Sequence, residues 1–401
     1  MGVGRILLLE NIHPGARENL VAAGYEVDLL SGALSEEELV EAVKDVTAIG
    51  IRSKTQLTPR VLEAAGHLTA IGAFCIGTNQ IAIDDAHMRG VPVFNAPFSN
   101  TRSVAEMVIA EIVFLARQLG DRNTEVHQGT WKKSATHCRE IRGKTLGIIG
   151  YGHIGRQVGV LAEAFGMHVI FHDVASRLPM GNNKPAPSLD ELLEQSDFVT
   201  LHVPATPQTR EMIGKDQLEH MKEGSYLLNL SRGNVVVIDD LVDALKREHL
   251  AGAAIDVYPQ EPATNKERFE SALQGLPNVI LTPHIGGSTE EAQVAIGQEV
   301  STALLRYLQW GTTSGAVNFP VAELPVREGV HRVRHVHRNV PGVLGDVNRI
   351  VAQEGANVLG QVLVTDRQIG YLLMDVEQDA GPAIVRGIAK LETTVRADLL
   401  Y

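Results

Sequence analysis

Cysteine is nearly absent from this chain: 401 residues carry two, Cys75 and Cys138. Two thiols close neither a disulfide framework nor a four-cysteine zinc site, and free thiols suit a reducing compartment. Cys75 sits in an apolar run and is expected as inert core. An excess of positive charge is also missing. Thirty-six basic against 48 acidic side chains leave a formal net charge of −12, so no global field draws the chain to nucleic acid or an anionic membrane. An anionic ligand must therefore be met by local basic residues. Long apolar runs are lacking as well. The most apolar helical pattern, Val104–Leu119, is interrupted by Glu106, Glu111 and Arg117, and nothing approaches the ~20 apolar residues of a membrane span. The amino terminus opens on an apolar strand pattern, Arg5–Leu9, rather than on a secretory leader, so a cytoplasmic protein is the expectation. What remains, 44% hydrophobic and 21% charged residues, is an ordinary soluble composition over a length that holds two or three cored domains.

The densest signal is Thr145–Asp173. Leu146-Gly147-Ile148-Ile149 reads as a buried strand running into Gly150-Tyr151-Gly152-His153-Ile154-Gly155, then a helical run to Phe165. A second apolar strand, His168–Phe171, ends at Asp173. Strand, glycine turn, helix, strand and acid is the order a dinucleotide site requires. Gly150 permits the tight turn, Gly152 lets a pyrophosphate approach the backbone, and Gly155 lets the helix close on the strand. The helix N-terminus faces the phosphate charge, and Asp173 is placed for a ribose diol.

Because this unit begins near residue 145, another was built before it. Residues 5–98 alternate strand patterns (Ile6–Leu9, Val27–Leu30, Ala48–Ile51, Thr69–Ala73) with helical ones, which argues a parallel α/β sheet. It has no phosphate-binding glycine loop. Further strand patterns follow Asp173 up to Val279–Thr282, and then a long helix, Glu290–Gln309. The expected architecture is α/β: a Rossmann dinucleotide domain (100–286) inserted in a discontinuous, flavodoxin-like substrate domain (1–99 and 287–317). A two-proline linker, 318–330, then leads to a small βαββαβ, ferredoxin-like domain at 331–401.

Three polar residues after the glycine loop fall at strand ends, where open α/β sheets bind ligands. Arg232 follows Leu227-Leu228-Asn229-Leu230-Ser231, Glu261 lies in Asp256-Val257-Tyr258-Pro259-Gln260-Glu261, and His284 lies in Thr282-Pro283-His284-Ile285-Gly286-Gly287. A histidine titrates near neutral pH and can take or return a hydroxyl proton. A carboxylate against its other nitrogen orients it and raises its pKa. An arginine grips a carboxylate in bidentate fashion and polarises a carbonyl. Together they supply what hydride transfer from an alcohol carbon needs.

With Phe74–Asn79, Asn95–Glu106, the GYGHIG loop, Ser231-Arg232-Gly233 and Thr282–Thr289 in one order, the chain resembles the D-2-hydroxyacid dehydrogenase family along essentially its whole length, specifically members with a C-terminal ACT domain. The resemblance implies NAD-linked oxidation of 3-phospho-D-glycerate to 3-phosphohydroxypyruvate, the committed step toward L-serine. It assigns Arg232 to the substrate carboxylate and ketone, His284 to acid–base work and Glu261 to its support. Cofactor contacts are implied at Gly150, Gly152, His153, Ile154, Gly155, Asp173, Leu230, Ser231, Arg232, Asp256, His284, Ile285, Gly286 and Gly287. Substrate contacts are implied at Arg52, Ser53, Lys54, Asn100, Arg102 and Lys133, the last from a second subunit. Lys54 stands where close relatives more often have arginine, which keeps the charge but loses a bidentate grip on phosphate. Asp173 favours NAD because it repels a 2′-phosphate, although Arg177 lies close enough to blur that preference.

The tail reads as a sensor. By resemblance to serine-regulated members, His337, Asn339 and Asn357 bind L-serine between two ACT domains of a homotetramer. Glu328-Gly329 precedes the ACT domain where the family pattern has a glycine pair, and a stiffer joint there would weaken a regulatory signal. His335 and His337 alternate on a strand without a third ligand, so no metal site is expected. Two other readings stand beside the leading one. The enzyme could serve another D-2-hydroxy acid such as 2-hydroxyglutarate, since Arg52, Lys54 and Arg102 suit any second anionic group. A non-enzymatic NADH sensor, like corepressors that share this fold, is the alternative of another class.

Overall fold

The computed structural model describes residues 4–262 and 267–401. It divides into two compact units, Met1–Ser99 with Gln293–Tyr401, and Asn100–Ala292. The first unit begins with five parallel strands: β1 (Arg5–Leu8), β2 (Glu26–Leu29), β3 (Val46–Ile51), β4 (Ala70–Ala73) and β5 (Val93–Asn95), in the order β2-β1-β3-β4-β5. That order is the flavodoxin-like winding. Local chemistry starts its helices: Ser35 and Glu38 form a reciprocal capping box before Glu36–Ala42, and Thr58 with Pro59 opens Pro59–Ala64.

The second unit holds seven parallel strands: β6 (Thr145–Ile149), β7 (His168–His172), β8 (Lys184–Pro185), β9 (Phe198–Leu201), β10 (Ser225–Asn229), β11 (Leu250–Ile255) and β12 (Val279–Leu281). They lie in the order β12-β11-β10-β9-β6-β7-β8. β6 sits between β7 and β9, so the winding reverses beside the glycine loop, which is where doubly wound sheets bind ligands. The expected single helix Val104–Leu119 is two, Thr101–Arg117 and Leu119–His127, because Gln118 between them takes left-handed angles (φ 52°, ψ 37°).

The tail forms a four-stranded antiparallel sheet of β13 (Val330–Arg338), β14 (Val358–Thr365), β15 (Ile369–Glu377) and β16 (Thr394–Leu399), ordered β14-β15-β13-β16. Alternation along its strands gives it two apolar faces. Val333, Leu372, Met374 and Val376 pack under the helices Val343–Gln353 and Gly381–Ile388. Val336, Ile369, Tyr371 and Leu373 share a core with Ile6 and Leu8 of β1 and with Val300, Leu304 and Tyr307 of the helix Glu290–Trp310.

Packing ties these parts together. Residues 331–401 cluster with the first sheet in one compact unit, the second face of their sheet sharing its core. Residues 318–330 are no free tether. Phe319 and Ala322 are buried, and the Asn318 side chain accepts from Val93 N (2.8 Å) and donates to Val91 O (3.1 Å). The division between the two units lies between Ala292 and Gln293. Thr289 is held within the second unit by Ser103 (Oγ to Oγ1 2.8 Å).

The segment 318–330 is held by Arg332, fully buried on β13. Its guanidinium makes a two-pronged ion pair with Asp375 (2.7 and 2.8 Å) and donates to the carbonyls of Leu324 (2.9 Å), Pro325 (2.7 Å) and Trp310 (3.2 Å). Every donor of the fork has an acceptor, the condition under which a buried charge is tolerated. Arg332→Ala strands Asp375 and three carbonyls, with an expected loss of ~3–5 kcal/mol. Urea unfolding followed through Trp310 fluorescence measures it, and a midpoint equal to wild type refutes this role.

Candidate active site

Sterics at the glycine loop explain its composition. Gly150 has φ 92°, and a Cβ there would lie 2.5 Å from the His202 carbonyl oxygen. A Cβ at Gly155 would lie 2.3 Å from the Gly150 oxygen, whereas one at Gly152 would meet nothing within 4 Å. The first two glycines close the turn on the helix, and the third leaves the backbone open to a ligand. Helix His153–Ala164 starts at Gly152 with no side-chain cap, and its positive end suits an anion. At the end of β7, Asp173 accepts from Tyr151 N (2.9 Å) and Ala175 N (2.8 Å), and Arg177 Nε stands 3.4 Å from it. The carboxylate is thus fixed beside the loop before any ribose arrives. Gly152, the helix N-terminus that begins at His153 and Ile154, and Asp173 fit a dinucleotide.

The second half of the site is built on Asp256, just beyond β11. This buried carboxylate accepts from Thr282 Oγ1 (2.7 Å), Ile285 N (2.8 Å) and Gly286 N (2.9 Å). The loop after β12 is thereby wrapped around one anion. Within it His284 takes φ 55°, a left-handed conformation unusual for a non-glycine residue. That conformation brings His284 Nδ1 to 2.8 Å from Glu261 Oε2, while Glu261 Oε1 accepts from Tyr258 N (3.1 Å). The carboxylate can only accept, so Nδ1 carries the hydrogen and Nε2 is left for a ligand. The hydrogen bond to Glu261, aided by its charge, raises the His284 pKa against the opposing effect of burial. Burial pushes Glu261 upward, but the bond and charge of His284 outweigh it and hold Glu261 below the usual carboxylate value.

Arg232 lies in the turn after β10. Asn229 braces that turn, accepting from Ser231 Oγ (2.8 Å) and donating to Arg232 O (3.0 Å). A Cβ at residue 233 would sit 2.0 Å from the Tyr258 carbonyl, so only glycine lets the Arg232 turn pass beside the Glu261 turn. The Arg232 charge lowers the pKa of both Glu261 and His284, which sets the three side chains in one electrostatic neighbourhood.

The structure therefore brings Arg232, Glu261, His284 and Asp256 together, with Leu230, Ser231, Ile285 and Gly286 around them. Asn100 joins them, since a Cβ at Gly287 would meet its Nδ2 at 2.2 Å. Arg102 instead pairs with Glu106 at 2.6 Å on the helix surface. Lys133 stands exposed on an irregular segment. Arg52, Ser53 and Lys54 belong to the other unit, at the end of β3. There Glu10, which the sequence reading missed, accepts from the amides of Arg52 (3.1 Å), Lys54 (3.0 Å) and Thr55 (2.8 Å). Its signal was an acid directly after the apolar strand Arg5–Leu9. Glu111, in sequence an interruption of an apolar helix, is buried.

The three tail residues do not converge within one chain. Asn339 N donates to Gln368 O, at the end of the sheet where His337 pairs with Gly370. Asn357 donates to Glu377, which pairs with Val330 at the opposite end. Strand rise separates the two ends by roughly 25 Å. His335 and His337 rings lie 5.0 Å apart, and among the described residues no group of three potential ligands could hold a metal ion. Nor is any described helix long and apolar enough to cross a membrane. Cys75 is half-buried rather than core, its thiol 3.1 Å from Gly77 O.

Comparison with known proteins agrees with this geometry. Residues 109–286 match the family model described as D-isomer specific 2-hydroxyacid dehydrogenase, NAD binding domain, and residues 333–396 match an AHAS small subunit-like ACT domain. The chain is 53% identical to D-3-phosphoglycerate dehydrogenase of Dictyostelium discoideum, covering 99% of this chain and 97% of that one. It is 51% identical to the enzyme of the same name from Escherichia coli (strain K12), again over 99% and 97%. Among solved structures, D-lactate dehydrogenase from Aquifex aeolicus complexed with NAD and lactic acid matches at TM-score 0.68 and 28% identity, over 79% of this chain and 99% of that one. A glyoxylate reductase from Paecilomyes thermophila matches at TM-score 0.69 and 29% identity, over 78% and 97%.

Glu261→Gln removes the charge that raises the imidazole pKa while preserving an oxygen for Nδ1–H. The His284 titration midpoint, read from its ring proton resonances, is expected to move to lower pH. An unmoved midpoint would show that Glu261 does not govern this ring.

Proposed function

The chain belongs to the D-isomer-specific 2-hydroxyacid dehydrogenases, and from that membership we propose that it oxidises 3-phospho-D-glycerate to 3-phosphohydroxypyruvate with NAD, the first committed step toward L-serine. Relatives bearing the corresponding name along the whole chain support the substrate. The observation that carries the chemistry is the Glu261–His284 contact of 2.8 Å, with Arg232 beside it, at the carboxyl ends of β10 to β12.

In this reading His284 Nε2, unprotonated, takes the proton of the C2 hydroxyl. Glu261 holds Nδ1–H and stabilises the imidazolium that forms. Arg232 grips the C1 carboxylate and polarises the oxygen at C2 as it becomes a ketone. When bound, NAD supplies the acceptor for the C2 hydrogen as hydride. The loop amides at Gly152–Ile154 take its pyrophosphate, Asp173 its ribose diol, and Ile285–Gly287 line the nicotinamide end. Arg52, Ser53, Lys54, Asn100 and Arg102 meet the substrate phosphate, with Lys133 contributed from a neighbouring subunit. In the reductive direction His284 must begin protonated, which its raised pKa favours.

L-Serine is the proposed effector, held by His337, Asn339 and Asn357. The 25 Å scale of their separation within one chain supports a site shared by two copies, with Asn357 donated across it. A homotetramer joined partly through the ACT sheets and working in the cytoplasm completes the proposal.

A steady-state NADH assay with phosphohydroxypyruvate and, separately, 2-oxoglutarate tests the substrate. Phosphohydroxypyruvate is expected to give the higher kcat/KM, and the reverse order would favour 2-hydroxyglutarate as the natural partner. His284→Ala is expected to lower kcat by about 10²- to 10⁴-fold with NADH binding kept, and full activity would remove His284 from the chemistry. Asn357→Ala is expected to abolish inhibition by serine while kcat without serine stays at its wild-type value. A wild-type enzyme indifferent to millimolar serine would end the regulatory reading.

A further inference from the structure

We propose that Glu111 is a positioning residue for the nicotinamide end of the site: its carboxyl retains a proton behind Asp256, and release of that proton shifts the cofactor preference from the reduced toward the oxidised form. The inference rests on the cofactor reading above and extends it to a residue outside the reacting groups.

Glu111 lies on the buried face of helix Thr101–Arg117, 5% exposed, among Val108, Ile112 and Leu115. Among the described residues neither of its oxygens has a hydrogen-bond partner. Asp256 lies within its electrostatic reach and is itself 1% exposed. The two buried carboxyls differ in one respect that decides their charge. Asp256 receives the hydroxyl of Thr282 and the amides of Ile285 and Gly286, three donors that favour its anion. Glu111 receives none, so the proton of the pair resides on Glu111.

Tyr258 also lies within reach of Glu111, and its ionisation is opposed by burial and by the charges of Asp256, Glu261 and Glu111. Its one hydroxyl hydrogen is shared between the carbonyls of Ile255 (2.9 Å) and Thr282 (3.0 Å), so it is not donated to Glu111. Beyond it, Glu261 is committed to His284, and Arg232 acts on both of those. Burial, with the charge of Asp256 added, pushes the Glu111 carboxyl up to about 8.

The loop His284–Gly287 is therefore backed by one negative charge below that pH and by two above it. The nicotinamide ring carries a positive charge when oxidised and none when reduced. A second anion behind that loop favours the oxidised ring; unit charges ~10 Å apart at an effective dielectric constant of ~20 would give a preference on the order of tenfold. By linkage, NAD+ binding promotes proton release from Glu111, and NADH binding promotes its retention.

The experiment measures the dissociation constants of NAD+ and NADH for the full-length enzyme between pH 6.5 and 9.5, in wild type and Glu111→Gln. The ratio Kd(NADH)/Kd(NAD+) is expected to rise about tenfold across the alkaline step in wild type. In Glu111→Gln it is expected to hold the value wild type shows below the step. Any contribution from His284 is common to both proteins and cancels in the comparison. Thermal unfolding of the apoenzyme supplies a second readout. Burial raises the folded carboxyl to about 8 from the ordinary 4.5, so the folded state binds more protons between those values, and wild-type stability declines as pH rises through that window. Glu111→Gln lacks that decline. An identical alkaline step in both proteins overturns the inference while leaving the dehydrogenase reading intact. Failure of wild type to bind either cofactor form overturns both.

Discussion

One buried carboxylate organises the catalytic half of this molecule. Asp256 takes two amides and a hydroxyl from the loop beyond β12, and satisfying that anion fixes the loop's path. The path holds His284 in a left-handed backbone conformation, which a free histidine avoids at a cost of roughly 1–3 kcal/mol. That conformation aims Nδ1 at Glu261. The Glu261 turn is in turn pressed against the Arg232 turn, closely enough that residue 233 can have no side chain. Remove the brace, and the imidazole loses its aim while guanidinium and carboxylate remain. The reacting groups are thus positioned by an acid that need not react.

How legible this was in the sequence followed the range of the forces involved. The glycine loop was readable because each glycine answers a contact within a few residues, or with one neighbouring strand. Arg232, Glu261 and His284 were readable because each ends a strand of a parallel sheet, where side chains of different strands are brought to one edge. The two parallel sheets were readable from strand–helix alternation. Glu10, Glu111 and the bracing role of Asp256 were not readable. Their meaning lies in partners from 26 to more than 140 positions away, or in the lack of any partner, and no local pattern encodes that.

The tail shows the same limit. Its βαββαβ order was plain, but two prolines between residues 318 and 330 suggested a tether. Only packing reveals that Phe319 and Ala322 are core and that the carbonyls of Leu324 and Pro325 bind Arg332. Its sheet also reaches the first one through polar contacts. Asn339 Nδ2 donates to Asp366 O at 2.6 Å, and the Asp366 carboxylate lies 3.3 Å from His87 Nε2. His87 Nδ1 contacts Asn318 O at 2.6 Å. The sensor-like module is thus bonded as well as packed to the sheet that carries Arg52 and Lys54.

At the centre of this account, the hydroxyl proton leaves through His284 while the C2 hydrogen passes directly to the nicotinamide. Mass spectrometry of the cofactor after a single turnover of 3-phosphoglycerate deuterated at C2 tests it most directly. The account expects one deuteron retained in the reduced cofactor and none in water. Deuterium released to solvent, with unlabelled cofactor, would mean that the C2 hydrogen leaves as a proton, and would contradict it.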